Sequence, residues 1–358
     1  MSELRSTALV LLLCALLGSP GRAANFCVAS SSQLANALAT AEINGENDFI
    51  RIVEGTYLSP QPDGFVYEPF QVSADSTRNL TVSGGFEPGC ASQVPDARRT
   101  VLSGGLLSPV LYLRSTGGQM LLINLTVTGG YSPASIGAVD VARTLGTSAD
   151  GPNVRIESVL FRNNEGHTAL RVATAAPLRL IGSLFHSNRV RHAAARLVVL
   201  DSQGSLTVHS NTVSDTEAET GFQTAGIAFD IAAGAATTVV NNILWDNESW
   251  DFHLVGTIVP FSWNVYGVVG GTGTYGGNGN LQADPRFLDP AADDYRLRHD
   301  SPAVDSGGPV DPTQVFDLHG TLRPQNQILD RGALERIAAL FLDGFESGGP
   351  WQWSVVVP

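Results

Sequence analysis

Residues 154–164, VRIESVLFRNN, and residues 178–188, LRLIGSLFHSN, repeat one pattern. Each opens with a short alternating strand, passes a small polar residue, reaches a second apolar pair and ends in an Asn-bearing turn. Three further segments fit it: LLINLTVTGG from Leu121, LTVHSNTVSDT from Leu206 and TTVVNNILWDN from Thr237. The first of these three ends in Gly129-Gly130 instead of Asn or Asp. The equivalent apolar anchors are Val127, Phe161, Phe185, Val213 and Leu244, spaced by 34, 24, 28 and 31 residues. Repetition at such a period marks an array of supersecondary units. One unit of two or three short strands cannot bury its inward face alone, whereas stacked units can. Uneven spacing then means loops of variable length at one corner. A propeller blade would be longer, and a helical repeat would carry helical periodicity. A β-sandwich predicts Asn-Gly hairpin signals, which are scarce. The expected fold is all-β, a single-stranded parallel β-helix or solenoid.

Working outward, SQLANALATAEINGEND (residues 32–48) places Leu34, Leu38 and Ala41 at helical spacing. It is expected to form a short N-terminal helix capping the first strands, since an open sheet edge invites pairing with other chains. Residues 267–279, GVVGGTGTYGGNG, read as a Gly-rich loop or bulged stretch. Residues 1–23 read as a signal peptide, with Arg5 before an apolar run Ala8 to Leu17 and a small-x-small site at Gly21-Arg22-Ala23. The expected domain runs from 24 to 340: cap and first repeats to 110, central repeats 111–270, a closing segment 284–335. Residues 341–358 read as a tail.

The chain has 358 residues and a formal net charge of −13, and all 21 of its basic residues are Arg. Loss of residues 1–23 would remove Glu3, Arg5 and Arg22 and leave it one unit more negative. That excludes nucleic acid as the expected partner, because phosphates select basic proteins. The apolar run near the N-terminus is too short to span a bilayer comfortably, and nothing later spans. Cys14 would leave with the leader. Cys27 and Cys90 then form an even pair in an oxidising compartment, so a disulfide is expected between the N-terminus and the loop after the strand at Leu80.

FIRIVEGTYLSP (residues 49–60) resembles the opening strand of the right-handed β-helix, or pectin-lyase-like, superfamily. DPRFLDPAADDYRLRHDSPAVDSGG (284–308) and DLHGTLRPQNQILDRGALE (317–335) resemble the closing segment of bacterial choice-of-anchor Q domain proteins. The resemblance implies a right-handed stack, with Tyr295-Arg296-Leu297 as a strand of the last repeat and residues 330–335 closing it. The tail, LFLDGFESGGPWQWSVV, is similar to an ending on exported proteins of gammaproteobacteria. An extracellular or cell-surface location in a Gram-negative bacterium is therefore implied. The superfamily includes lyases, hydrolases and adhesins, so fold does not settle function.

Lyase chemistry in such a fold needs carboxylates for Ca²⁺ and an Arg or Lys base. Asp201, Asp215, Asp230 and Asp246 recur at intervals of 14 to 16 residues, near Arg189, Arg191 and Arg196. That interval, about half a repeat, is expected to keep alternate members off a common face, and turn formation is the preferred reading. Asn163-Asn164, Asn188, Asn211, Asn241-Asn242 and Asn247 are expected to form a ladder bonded along the stack. The candidate ligand-binding residues are Trp245, Trp250, Asp251 and His253, with His186, Arg189 and Arg191 as a second polar group. Trp245, Trp250, Phe252 and Trp263 would form a sugar-stacking platform or plug the end of the core. The expected function is a non-catalytic, exported, monomeric protein that binds a polysaccharide or a cell-surface partner. A divergent polysaccharide lyase is the alternative, and a passive spacer the third reading. No cofactor is required by any motif; Ca²⁺ is compatible with the lyase alternative.

Overall fold

The computed structural model describes residues 23–69, 78–115, 117–133, 136–143, 154–191, 198–202, 204–308 and 314–337. Residues 1–22 of the expected signal peptide, His192, Arg196 and the expected tail 341–358 lie outside the described residues. Almost all regular structure is β, in a 17-stranded sheet and an 8-stranded sheet whose pairings are all parallel. The repeats are the reason. Val127 pairs with Phe161, Phe161 with Phe185, Phe185 with Val213 and Val213 with Leu244, so the expected anchors stand in one register-true ladder. All five are fully buried, and the Phe161 and Phe185 rings stack at 4.4 Å. A second ladder runs Ile50, Val82, Leu122, Ile156, Leu180, Val208, Val239, Phe261.

The two ladders of the large sheet are separated by a bend. It falls at Asn124, Ser158, Gly182, Ser210, Asn241 and Trp263, each with positive φ. A second bend uses Gly129, Asn163, Ser187, Asp215 and Asp246 in the same conformation. Left-handed backbone is costly for most side chains, but Asn, Asp and Gly tolerate it. That physical demand explains the polar turn residues of every repeat.

The small sheet runs in order through Phe65–Tyr67, Leu111–Ser115, Val139–Arg143, Leu170–Thr174, Val198–Ser202, Ala225–Ile231, Trp250–Val255 and Val269–Gly271. Its inward residues, among them Phe65, Leu111, Leu170, Ile227 and Phe252, join those of the large sheet in one continuous core. Helix α1 (Ser31–Ala41) covers the N-terminal end with Leu34, Ala37, Leu38 and Ala41, capped by the Ser30 hydroxyl accepting from Gln33 N–H. The Cys27–Cys90 disulfide staples that end. At the other end Phe252 and Phe261 pack with Tyr266 and Tyr275, so Phe252 belongs to the core and not to a surface platform. Among the described residues no helix is long and apolar enough to cross a membrane.

The closing segment differs from expectation. Asp294–Leu297 pairs antiparallel with Phe287–Asp289 and does not extend the parallel stack. The segment instead folds back across an outer face, where Phe287, Tyr295, Leu297, Leu318 and Leu334 cover Leu160, Leu184, Ile243 and Val265. These four side chains are apolar on the outer surface, and covering them removes that area from water.

The asparagines form two ladders instead of one. Asn188 Oδ1 accepts from Asn164 N–H, and Asn164 Oδ1 from Gly130 N–H. Asn211, Asn242, Asn264 and Asn280 form the longer one, each backbone N–H donating to the next side-chain oxygen. Asn163 and Asn241 instead take the left-handed bend positions.

Candidate functional site

The outer face of the small sheet carries side chains pointing away from the core. One row runs in register through Val66, Tyr112, Asp140, Arg171, Val199, Ala228 and His253. At the parallel-strand spacing, Tyr112 to His253 spans about 24 Å. Asp140 is fixed by Arg171, which donates through Nε and Nη2 at 3.0 and 2.9 Å. Such a bidentate pair adds directional as well as electrostatic strength. The middle of the face is small, with Ala142 and Ala173 in the neighbouring row ahead of Asp201 and Asp230. Trp250 and His253 stand at the C-terminal end with ring centroids 5.6 Å apart. Gly270 makes that arrangement fit: a Cβ there would come within 2.6 Å of the indole of Trp250. At the N-terminal end a hollow of about 670 Å³ is lined by Asp63, Glu68, Tyr112, Tyr131 and Asp140.

Trp250 and His253 are thus brought together, and Asp251 and Trp245 meet at Gly267, where an added Cβ would lie 2.4 Å from Asp251 Oδ2 and 3.3 Å from the Trp245 ring, while His186, Arg189 and Arg191 lie apart from them. Asp251 is buried. One of its oxygens accepts from Asn247 N–H and Nδ2, the other from Val268 N–H. Burial raises its pKa against those hydrogen bonds. It ties neighbouring strands together and leaves no carboxylate facing outward. Trp245 packs against the cluster beneath the closing segment. His186 lies in the same region, 2% exposed, its ring 4.7 Å from that of Tyr295. Arg189 is exposed opposite Glu165 and Glu217, and Arg191 pairs with Glu165 and sits 5.9 Å from the ring of Tyr131.

The aspartate expectation needs correction. Asp201 pairs in register with Asp230, and Asp215 and Asp246 occupy equivalent left-handed bends on the other sheet. A half-repeat interval separates neighbours and unites alternates, the reverse of the expected arrangement. Among the described residues no three His, Cys, Asp or Glu side chains are grouped to hold a metal ion.

A larger cleft, about 1230 Å³, lies between the closing segment and the outer face of the large sheet, lined by Arg98, Arg162, His186, Asp293, Arg296 and His319 among others. Its charges are largely spent on structure. Arg98 forks onto Asp96, and Arg296 onto Asp294. The Ser187 hydroxyl lies 3.1 Å from Asp293, and Tyr295 donates to Asp215. His186 is pushed down to about 4, first by burial; Asp293 opposes this, Arg162 adds to it and Asp215 opposes it. The DLHG and DRGALE stretches are equally structural. Asp317 accepts from His319, Thr321 and Glu335 N–H, and Asp330 from Asp305 and Arg336 N–H. Arg323 pairs with Glu335 at 3.0 Å, with both side chains 1% exposed.

Tyr112, Tyr131, Asp140 and Arg171 were not singled out by the sequence. The signal was present as period-two strands, LYLR, VDVAR and LRVAT, lying between the more obvious repeats. No protein-family model and no curated protein matches the chain.

Proposed function

We propose that this chain is an exported right-handed parallel β-helix protein of pectin-lyase-like architecture that binds an extended glycan without cleaving it. The continuous parallel registers favour the helical stack, and parallel crossovers are right-handed in nearly all known cases. The closing segment's likeness to choice-of-anchor Q proteins supports a cell-surface setting. The disulfide favours an oxidising compartment. The carrying observation is the outer row of the small sheet, where aromatic rings at both ends flank a fixed carboxylate–guanidinium pair. Sugars present apolar ring faces and hydroxyls together, and this row offers stacking surfaces and hydrogen-bonding groups in one line. Arg171, committed to Asp140 through two hydrogen bonds, serves this reading as a positioned donor and not as a base.

The test is affinity electrophoresis of the purified chain in gels containing soluble polysaccharides, with reducing ends and unsaturated products measured in parallel. Retardation by at least one glycan is expected, weakened about tenfold, or 1.4 kcal/mol, by Trp250→Ala. Indifference to every glycan would sink the binding reading. Product release abolished by Arg171→Ala would replace it with the lyase alternative.

A further inference from the structure

The hollow at the N-terminal end of the row groups carboxylates with tyrosine rings. Three carboxylates line it, from Asp63, Glu68 and Asp140, together with the rings of Tyr112 and Tyr131. Among the described residues, the arginines beside it are paired with carboxylates. Arg171 forks onto Asp140. Arg114 lies 4.4 Å from the centre of the Tyr112 ring and 3.8 Å from Glu68. Arg191 is paired with Glu165. Arg171 and Arg114 thus offset Asp140 and Glu68, and Asp63 is left, among the described residues, as the carboxylate with no cation beside it that an entering uronate would meet, in a protein whose formal charge is −13. Like charges brought together in a partly dry hollow repel more strongly than in bulk water. A neutral sugar meets no such opposition. Its hydroxyls can donate to the carboxylate oxygens, and its apolar face can lie on a tyrosine ring, with Pro133 among the apolar walls.

We propose that this hollow is the principal sugar subsite of the face and that it selects a neutral, hydroxyl-rich residue over a uronate. This rests on the glycan-binding reading and adds its specificity. Asp63 is the gatekeeping charge, because Glu68 and Asp140 each have an arginine beside them. Its side chain sits in an exposed turn, so replacing it leaves the core untouched.

The experiment compares four soluble probes on the intact chain at low salt: a neutral β-glucan, a neutral galactomannan, polygalacturonate and a chitosan oligomer. At least one neutral polymer is expected to bind tenfold or more tightly than polygalacturonate. Tyr131→Ala should cost about tenfold on that polymer, with an unchanged melting temperature establishing that the chain remains folded. Asp63→Asn, a second and conservative variant, should narrow the gap by raising affinity for polygalacturonate severalfold. If glycan binds and Trp250→Ala weakens it while Tyr131→Ala and Asp63→Asn change nothing, the subsite is wrong although the face still binds. Equal or tighter binding of polygalacturonate would overturn the preference over uronates alone, whereas tight binding of the cationic chitosan is the attraction the carboxylates predict. Failure of all four probes would remove the glycan-binding reading itself.

Discussion

Asn163 and Asn164 are adjacent and chemically identical, yet the fold uses them for opposite purposes. Asn163 is exposed at a left-handed bend, where its value is tolerance of positive φ. Asn164 is buried, accepts from Gly130 N–H, and donates from Nδ2 to Val127 O and Asn188 Oδ1. Asn163→Gly should therefore shift stability by no more than about 0.5 kcal/mol, since glycine adopts that backbone freely. Asn164→Ala strands buried polar groups on two neighbouring strands and should cost about 3 kcal/mol. Urea midpoints of the two variants read the difference directly, and equal costs would refute the assignment. Sequence reading finds both residues, because Asn recurs at every repeat, but cannot separate bend from ladder. It also misses Asn264 and Asn280, whose separations of 22 and 16 residues fall below the earlier period.

Among the elements, the closing segment docks through a group whose protonation depends on pH. His186 is faced by Ser187, Asp215 and Arg162 from the sheet and by Asp293 and Tyr295 from the closing segment. Its folded pKa of about 4 lies below the ordinary 6.5, so the unfolded chain binds the extra proton in that window. The contribution is fully present above about pH 6.5 and is lost as pH falls towards 4. The shift corresponds to about 3 kcal/mol, and His186→Phe should flatten that limb of the melting-temperature profile. A second prediction concerns Arg323 and Glu335. Glu335→Ala leaves a buried guanidinium without its carboxylate and should destabilise by about 4 kcal/mol; a urea midpoint unchanged from the parent would place the pair outside the stability-determining core.

The direction of this segment was not legible in the sequence. Tyr295-Arg296-Leu297 has strand character and does form a strand. It turns back along the side, where it buries the outward-facing Leu160, Leu184 and Ile243. No local pattern around Tyr295 encodes the location of that surface. The Val127–Leu244 ladder was legible for the opposite reason: each member sits within its own repeat and obeys the same local rule.

Across the whole molecule, the stack is secured differently at its two ends. Disulfide and helix hold the first strands, and packed aromatic rings hold the last. Stacked repeats open from their ends, so protection should follow position. Closing a loop of 63 residues with Cys27–Cys90 stabilises by about 4 kcal/mol on chain-entropy grounds. Reduction should accordingly speed hydrogen exchange in Ala23–Val28 and Asn47–Val53, while Leu206–His209 and Thr237–Val240 keep their protection. Uniform loss of protection along the chain would mean that the stack unfolds as one unit.

The closing segment also imposes an order in time. It touches the stack near its beginning, through Ala97 N–H donating to Leu318 O, and near its end, through Arg331 on Gly279 O. A ribosome makes these residues after every strand they clasp. A nascent chain can therefore build its sheets early, with Leu160, Leu184 and Ile243 still facing water, and cover them only when the last stretch emerges. A chain cut short before that point would carry an assembled stack with an uncovered greasy flank, a feature by which a chaperone or protease can tell unfinished copies from finished ones.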